Sequence, residues 1–506
     1  MAALNESTLT QLPPKVGGFP YDRSQVSAGI AHLSVGNFHR AHQAVYLDRC
    51  LALPAGESWG ICGVGVVDSP SERAKAEAMA RQDNLYTLTL FPPRGDPESS
   101  VIGSIIEYLF APADPGRVVA RLSDPAIRIV SMTITEGGYN LDDATGRFRL
   151  DAPDVAHDLA HPDAPRTVFG LITAALAGRR ASGTPPFTVL SCDNLRHNGE
   201  VARRAILAFA EARDPALASW IADNVAFPSC MVDRITPAVP PADVERLNQL
   251  TGVGDAVPVF AEDFMQWVVE DRFCAGRPAL EAAGVQLTDD VGAYEQVKLR
   301  MLNASHTVLS LPGLLGGCRF VHEAMADARI LGLLRAFLDR DVIPLLAAPP
   351  GMALEAYRDS VLNRFSNPAI NDQLSRITSD SGSKIPIFLG DTIRACLDQG
   401  RDHHRLAFTL AAFARYLAGG NDAGERFTLQ EPHLTEADLA LARDPDPAAP
   451  LRISTLRPLG LDRSAAFVEA FTRYRTMIAE RGALDALGAL GALDALDGLS
   501  ALGAHS

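Results

Sequence analysis

Cysteine is scarce in this chain, and the cysteines that are present follow no regular spacing. Seven occur among 506 residues, and no two form a C-x-x-C pair. Small secreted domains that depend on disulfides carry an even, closely spaced set instead. We therefore expect reduced and mostly buried thiols in a cytoplasmic protein. The seven are Cys50, Cys62, Cys192, Cys230, Cys274, Cys318 and Cys396.

Long apolar runs and an excess of positive charge are also missing. No stretch approaches the roughly 18 uninterrupted apolar residues of a membrane span, and residues 1–18 lack a basic region followed by an apolar run. We therefore expect neither a membrane segment nor a secretory signal. Lys and Arg number 46 against 61 Asp and Glu, a net charge of −15 that argues against nucleic-acid and anionic membrane partners. The 47% of hydrophobic residues fits a soluble globular chain of roughly two to four domains.

Residues 30–240 alternate strand-like runs with helical ones, which predicts a mostly parallel sheet covered by helices. The expected strands are 30–35, 60–67, 86–91, 101–109, 127–135 and 187–191, and the expected helices are 38–53, 167–180 and 200–224. From about residue 290 the pattern is helical, at 294–311, 323–338, 341–346, 354–364, 391–399, 404–417 and 464–481. We expect an α/β domain at 1–288 and a mostly α-helical domain, carrying substrate and catalytic residues, at 289–506.

A low-complexity tail begins at about residue 482. Its seven leucines recur at every third position, from Leu484 to Leu502. On an α-helix this period winds round the axis and forms no single stripe, so the tail is not a leucine zipper. We expect a loosely packed helix without catalytic groups, and a docking segment is the alternative.

The turn after the first expected strand, at residues 33–42, is a candidate for binding a dinucleotide. A strand that passes through a glycine, here Gly36, into a helix offers free backbone N–H groups to a pyrophosphate. The G-x-G-x-x-G fingerprint is incomplete, because Ser34 takes its first position and His39 its third, so a plain turn is the alternative. His39 and His42 are three residues apart, but no third ligand is near, and we expect no metal.

The next strand ends carry further polar residues. The strand at 60–67 is followed by Asp68, and an acidic residue there binds the adenosine ribose diol and favours NAD. Asp68 lies farther from Gly36 than the usual spacing of about 20, so Glu72 is a competing choice. Small and polar residues at 133–139 fit either a ligand crevice at the end of a parallel strand or an ordinary turn.

The strongest catalytic candidate is the string E-Q-V-K-L-R-M-L-N-A-S-H at 295–306. On an α-helix of about 100° per residue, Lys298, Asn303 and His306 lie within an arc of roughly 140°, and Glu295 falls in the same arc. The opposite face is apolar, as a packed helix needs. An amine, an amide and an imidazole that face one spot can take a proton and hold an oxyanion, which oxidation of an alcohol without a metal requires.

Three other polar strings can each be an ordinary loop. They are 191–194 with Asn194, 227–237 with Asp233 beside Arg234, and 371–384 with Arg376, Asp380 and Lys384. A turn residue is the alternative for Asn194. A plain ion pair is the alternative for Asp233 and Arg234.

Together these strings resemble the polyol-specific long-chain dehydrogenase/reductases, most closely the members that oxidise mannitol. The matching motifs are GNFHRAHQAVYLD, ICGVG, RIVSMTITEGGY, SCDN, MVDRITP, EDFMQWVVED, YEQVKLRMLNASH, VHE and RFSNPAI, from Gly36 to about Lys384. The set is too specific for chance agreement. The resemblance implies the reversible oxidation of D-mannitol to D-fructose with NAD and no metal, by a Rossmann-like dinucleotide-binding domain and a helical domain.

The resemblance also implies a role for each candidate. Lys298 would be the general base, Asn194 and Asn303 would donate hydrogen bonds to the oxyanion, His306 would orient the substrate, and Glu295 would relay the proton. Asp233, Arg376 and Lys384 would line the polyol site. The cofactor side would be formed by Gly36, Asn37, Phe38, Arg40 and Glu136, with Asp68 or Glu72 on the ribose.

This sequence departs from the family pattern in three places and leaves the substrate open. Ser34 replaces a glycine, the segment 66–73 is longer than usual, and 379–384 permutes the common residue order. Related members act on D-arabinitol or sorbitol, or reduce fructuronate and tagaturonate, and Arg376 or Lys384 is available for a uronate's carboxylate. A dinucleotide-binding sensor is a further alternative, although it has no need of Lys298. The resemblance favours a monomer.

Overall fold

The computed structural model describes residues 1–142 and 145–491. The chain divides into two compact units, Met1–Gly292 and Ala293–Ser506. The first unit is α/β and the second is α-helical, which confirms the fold class that the sequence predicts. The expectation for residues 492–506 of the leucine-rich tail lies outside the described residues.

The described part of the first unit holds twelve strands in three sheets. In chain order, β1 to β12 are Val16–Gly17, Ala28–Leu33, Gly60–Gly65, Tyr86–Phe91, Glu98–Ile102, Ile105–Phe110, Ile129–Met132, Thr188–Ser191, Cys230–Asp233, Val259–Glu262, Gln266–Glu270 and Gln286–Thr288. The largest sheet has the order β6-β3-β2-β7-β8, and every neighbouring pair in it is parallel. All residues of β2, β3, β7 and β8 are buried, as in a parallel sheet that is covered on both faces.

The strand order reverses at β2, which has β3 on one side and β7 on the other. Leu33, the last residue of β2, lies level with Val64 and Met132 on these neighbours. The segments that follow the three strands therefore emerge at one edge of the sheet. Open α/β sheets of this Rossmann type bind ligands outside the carboxyl ends of their strands, at such a switch point.

The two smaller sheets account for the wrong strand predictions. Their orders are β1-β5-β4-β10 and β12-β11-β9. The single strand expected at 101–109 is wrong, because β5 and β6 belong to different sheets and Gly103 separates them. The Gly103 N–H donates to Asp48 at 2.9 Å, and a Cβ there would collide with the Phe19 ring. Strands β9 to β12 have three to five residues each, too few for an alternating pattern to show.

Nineteen α-helices lie in the described residues up to Arg481. In chain order, α1 to α19 are Asn37–Ala41, Gln43–Leu51, Pro70–Arg81, Pro115–Ser123, Pro153–Ala160, Val168–Ser182, Asn198–Arg213, Pro215–Asn224, Pro241–Thr251, Val291–Val297, Ala304–Leu315, Val321–Ala326, Ala328–Ala336, Leu354–Phe365, Leu374–Thr378, Ser381–Asp398, His404–Tyr416, Glu436–Arg443 and Ala465–Arg481. The helix expected at 38–53 is divided at His42, whose backbone leaves the helical region. The helix expected at 200–224 is divided at Asp214, which caps α8.

No strand occurs in the second unit between Ala293 and residue 491. The helix expected at 294–311 consists of α10, a π-helical turn at Lys298–Asn303, and α11. A second π-helical turn, Phe337–Val342, follows α13. Residues 483–491 are helical and pack more closely than expected, because they bury Ala483, Ala486, Leu487 and Leu490. Over the part of the chain that the structure describes, no helix is both long and apolar enough to cross a membrane.

Candidate active site

The turn after β2 leaves its backbone accessible at Gly36. Ser34 adopts a left-handed conformation, with φ 72°, and its N–H donates to Val64 O at 2.8 Å. The Gly36 N–H donates back to Ser34 O at 3.0 Å. A Cβ added at Gly36 would meet nothing within 4 Å. The backbone at Gly36 is therefore open to the approach of a ligand, although serine stands where the fingerprint has glycine.

The residues after Gly36 divide into accessible and supporting ones. Asn37 and Phe38 are half-buried. Arg40 is buried, donates to Asn37 Oδ1 at 2.8 Å and to Val257 O, and lies over the Tyr86 ring. Burial lowers the pKa of this guanidinium. Arg40 thus supports the turn from beneath, whereas Asn37 and Phe38 reach its accessible side.

The two acidic candidates after β3 occupy different surroundings. Strand β3 ends at Gly65, and α3 begins at Pro70. The Asp68 side chain is 70% exposed and pairs with Arg73 at 3.1 Å. Glu72 pairs with Lys75 at 2.6 Å, and the Lys75 ammonium also donates to Val35 O at 2.8 Å. Glu72 is therefore connected through Lys75 to the turn after β2, while Asp68 stands at the surface beside a cation.

A buried carboxylate, Asp193, joins the segments that follow β7 and β8. It accepts the N–H groups of Ile134 at 3.1 Å and Thr135 at 2.8 Å, and the Tyr139 hydroxyl at 2.8 Å. Burial raises the pKa of Asp193 to about 6. Beside it, Asn194 is exposed at the end of β8. Asp193 therefore fixes the backbone that presents Asn194, a contribution that the sequence string SCDN does not reveal.

Glu136 and Asp233 lie at two other places in the first unit. Glu136 is exposed, directly after Thr135, whose φ is 61°. Asp233 is buried at the end of β9. The neighbouring Arg234 donates to Glu262 O at 2.9 Å and to Ala41 O at 2.6 Å, and so connects the end of β9 to the end of α1.

The two histidines of the first turn contact different groups. The His39 ring stacks on the His32 ring, with centroids 3.4 Å apart, and burial holds the pKa of His39 well below its usual range. His42 Nε2 lies 2.8 Å from Gln266 O. Within residues 1–142 and 145–491, no group of three or more His, Cys, Asp or Glu is arranged to hold a metal ion.

The π-helical turn gives the second unit its accessible polar face. The N–H of Ala304 donates to Leu299 O, five residues earlier, so the turn holds one residue more than an α-helical turn. The spacing of 100° per residue from which the arc of roughly 140° is predicted therefore does not hold across this turn. Among residues 297–310, only Lys298, Asn303 and His306 are half-buried, and all others are buried.

Two neighbours of this face support it. The His306 ring stacks on Phe365, with centroids 4.1 Å apart and planes 20° from parallel. Glu295 is buried in α10, one turn before Lys298. The structure thus brings the four candidates of the second unit's string onto adjoining turns.

Two cations, Arg376 in α15 and Lys384 in the first turn of α16, are held by local partners. Lys384 Nζ donates to Ile377 O at 3.2 Å and Ser379 O at 2.5 Å. Arg376 donates twice to Asp372 Oδ1, from Nε at 3.0 Å and from Nη2 at 2.5 Å. Asp372 was not singled out from the sequence, although its spacing of four from Arg376 is an ordinary ion-pair signal.

Glu431 caps the N-terminus of α16, and no sequence motif indicates this contact. Its carboxylate accepts the N–H groups of Ser381 and Gly382, both at 2.9 Å. Burial raises the pKa of Glu431 to about 7. Asp380, at the start of this helix, has φ 57°, and its N–H donates to Gln430 O at 2.7 Å. The segment around 430 therefore holds the first turn of α16, which carries Lys384.

Comparison with known proteins gives consistent matches over both units. The mannitol dehydrogenase Rossmann domain model matches residues 28–282, and the mannitol dehydrogenase C-terminal domain model matches 290–478. The chain is 49% identical to a polyol:NADP oxidoreductase of Gluconobacter oxydans, over 89% of this chain and 92% of that one. It is 43% identical to a mannitol 2-dehydrogenase of Phaeosphaeria nodorum, over 87% and 78%.

Two solved structures are similar over nearly the whole chain. One is D-sorbitol dehydrogenase in substrate-free form, with a TM-score of 0.90, 46% identity, and coverage of 96% of this chain and 100% of that one. The other is mannitol 2-dehydrogenase from Pseudomonas fluorescens in a ternary complex with NAD and D-mannitol. Its TM-score is 0.86, with 44% identity and coverage of 96% and 99%.

Proposed function

The chain belongs to the mannitol dehydrogenase family of nicotinamide-dependent polyol dehydrogenases, and from this premise we propose that it interconverts D-mannitol and D-fructose with NAD and without a metal. The observation that carries the proposal is the π-helical turn. It leaves Lys298, Asn303 and His306 accessible in a segment that is otherwise buried. These are the amine, amide and imidazole that the reaction needs.

The open turn after β2 fits a dinucleotide. Gly36 and Gly137 each lack any atom within 4 Å of an added Cβ, so ligand can approach the backbone at both positions. We propose that Gly36 and Asn37 hold the pyrophosphate, and that Phe38 and Glu136 contact the cofactor's other groups. A nicotinamide held there would supply hydride transfer to and from the carbinol carbon. Arg40 acts by supporting the turn from its buried position.

Lys298 takes the hydroxyl proton of the polyol in this mechanism. The amine must be neutral to do so, and desolvation favours the neutral form of a lysine. Asn303, on the same face, donates its amide N–H to the developing oxyanion, and one such donor contributes about 3 kcal/mol. His306, held by its stacking on Phe365, orients the substrate. Glu295 passes the proton on, and Asn194 is proposed as a second donor.

The contacts of Arg376 and Lys384 favour a neutral substrate. A uronate would need a cation aimed at its carboxylate. Arg376 is already neutralised by Asp372, and the Lys384 ammonium is held by two backbone carbonyls. We propose that these residues and Asp233 donate and accept hydrogen bonds with the polyol's hydroxyl groups.

NADP-dependent oxidation of another polyol is the second candidate, since one observation favours it. Arg73 stands beside Asp68, and an arginine in this region can accept a ribose 2′-phosphate. A relative at 49% identity is named a polyol:NADP oxidoreductase, and one similar structure is a D-sorbitol dehydrogenase. We propose NAD as the main cofactor because the Asp68 carboxylate is exposed where the ribose diol would bind.

A substrate and cofactor matrix tests both candidates. Purified protein is assayed for oxidation of D-mannitol, D-sorbitol and D-arabinitol with NAD and with NADP, and for reduction of D-fructuronate. Mannitol turnover with NAD as the fastest combination supports the proposal. Faster sorbitol turnover or a preference for NADP supports the second candidate, and activity on fructuronate alone contradicts the neutral-substrate argument.

Lys298→Ala tests the assigned base. The variant should bind NADH as the wild type does, because the cofactor residues are unchanged, yet lose at least about a hundredfold in kcat, within the range that acid–base groups contribute. NADH binding is followed by fluorescence and kcat by absorbance at saturating mannitol. Unchanged turnover would show that another group takes the proton.

A further inference from the structure

Arg300 lies in the middle of the π-helical turn, on its buried side. The side chain is 7% exposed, whereas Lys298 and Asn303 in the same turn are half-buried. Its Nε donates to Thr392 Oγ1 at 3.1 Å, and its Nη1 donates to Leu345 O at 3.2 Å. Arg300 therefore ties the turn to α16 and to the short segment that follows the second π-helical turn.

The location of this arginine is costly for stability. Its Nη2 is buried without a hydrogen-bond partner, and burial lowers the pKa of the guanidinium, with Asp391 opposing that effect. An unsatisfied buried donor loses its hydration without compensation. A residue that served packing alone would do better as leucine or methionine, so the fixed donor geometry of the guanidinium is its distinguishing property.

The turn itself needs outside support. A π-helical turn holds one residue more than an α-helical turn, and such turns are rare and are frequently found at functional sites. If the segment relaxed to α-helix, every residue after the change would rotate by about 100° relative to Lys298. Asn303 and His306 would then spread over the wider arc of roughly 140° that an α-helix gives.

We propose that Arg300 is a positioning residue that holds the π-helical turn open, so that Asn303 and His306 stay on the face of Lys298. The inference rests on the proposed function, because it gives the shared face its meaning. Thr392 and Lys384 both lie on α16, so the same contact aligns the turn with the helix that carries Lys384. Arg300 acts through the turn and does not itself touch substrate.

Three variants test the inference, each measured for kcat, KM for mannitol, affinity for NADH and Tm. Arg300→Met keeps the length of the side chain and removes its donors. It should lower kcat by about tenfold to a hundredfold, as misplacement of catalytic groups does, with NADH affinity unchanged. Arg300→Lys, which retains a donor, should recover part of the loss. Thr392→Val removes one acceptor only and should give a smaller fall in kcat.

Arg475→Met is the matched control. Arg475 also donates to backbone carbonyls, those of Ala442, Asp444 and Asp446, but it joins α19 to the end of α18. The control should lower Tm and leave kcat unchanged. If Arg300→Met lowers Tm as the control does but keeps its kcat, the residue is merely structural and the inference is overturned.

Hydrogen–deuterium exchange separates failure of this inference from failure of the proposed function. In Arg300→Met, amides of residues 298–304 should exchange faster, while those of α19 stay unchanged. If amides of residues 298–304 exchange faster in Arg300→Met while Lys298→Ala keeps full activity, then Arg300 holds the turn but Lys298 is not the base. Unchanged exchange and kcat would refute the inference alone. If Arg300→Met does not fold, Thr392→Val decides by the same two measurements.

Discussion

At the scale of single residues, chemistry and support come from different kinds of side chain. Lys298, Asn303 and His306 could be selected from the sequence because an amine, an amide and an imidazole recur at helical spacing. Asp193 could not be selected from the sequence, because its contribution depends on the backbone N–H groups of residues 134 and 135, which are far away in sequence. Sequence reasoning finds groups whose identity suggests chemistry, whereas a carboxylate that organises two loops is recognised only from their contact.

Asp193→Asn tests this support. An amide keeps the size but replaces one acceptor oxygen by a donor, so the N–H groups of Ile134 and Thr135 cannot both be satisfied. We expect kcat with mannitol to fall by roughly tenfold, the effect of one displaced oxyanion donor at Asn194 being about this size or larger. Steady-state kinetics and a cofactor titration measure the effect.

The matched control is Asp158→Asn. Asp158 is equally buried and accepts the N–H groups of Arg166 and Thr167, but it joins α5 to α6, away from the strand ends. Both variants should lose stability, and only Asp193→Asn should lose turnover. Equal loss of turnover in both would mean that general destabilisation, and not loop geometry, is responsible.

At the scale of elements, sequence patterns gave the long features and missed the short or irregular ones. The fully apolar runs of β2, β3, β7 and β8 predict a parallel sheet because both of its faces are buried. No residue pattern predicts the π-helical turn at Lys298–Asn303, because the backbone of any helical sequence can accommodate the extra residue in a turn. The loop at 379–384 illustrates a third case, in which α16 starts at Ser381, earlier than its apolar period suggests.

Glu431→Gln tests the capping of α16. Glu431 has a raised pKa of about 7, and Asp380 and Tyr416 are the titratable groups beside it. As the pH rises through 7, the Glu431 carboxylate ionises and binds the N–H groups of Ser381 and Gly382 more strongly. This stabilises the first turn of α16, which carries Lys384. We expect KM for mannitol to fall severalfold from about pH 6 to 8 in the wild type and to change less in the variant.

Asp438→Asn serves as the comparison for this experiment. Asp438 caps a different helix, α18, through Thr435, and accepts the Ser454 N–H. The pH dependence of its KM should match that of the wild type. A KM profile for Glu431→Gln that also matches the wild type would show that the cap does not affect substrate binding.

At the scale of the whole molecule, the sequence pattern changes near residue 290. The chain divides into two units at Gly292, and one family model matches residues 28–282 and another 290–478. The change of pattern near residue 290 can be recognised in the sequence because strand–helix alternation and continuous helical periodicity differ over long windows, in which local errors average out. The exact substrate cannot be predicted from such patterns, since it depends on a few hydrogen-bonding groups. A monomer remains a prediction, which light scattering of the purified protein would test.

The pH dependence of stability is also a property of the whole molecule, because buried groups of opposite tendency contribute to it. Burial raises the pKa of Asp48 and Asp193 to about 6, so the native state takes up protons there before the unfolded state does. Their contributions are present at low pH and are lost as the pH rises through 6. Burial lowers the pKa of His32 to about 3, so its contribution is present above 6.5 and is lost on acidification.

The two carboxylates favour low pH and the histidine favours high pH, so their effects on the free energy of unfolding partly cancel between about pH 4 and 6.5. Asp193→Asn removes one of the two carboxylates that favour low pH. The stability difference between wild type and variant should therefore grow as the pH falls from 6 to 4, by at most about 3 kcal/mol. Urea unfolding at several pH values measures it, and parallel curves for the two proteins would show that Asp193 does not titrate in this range.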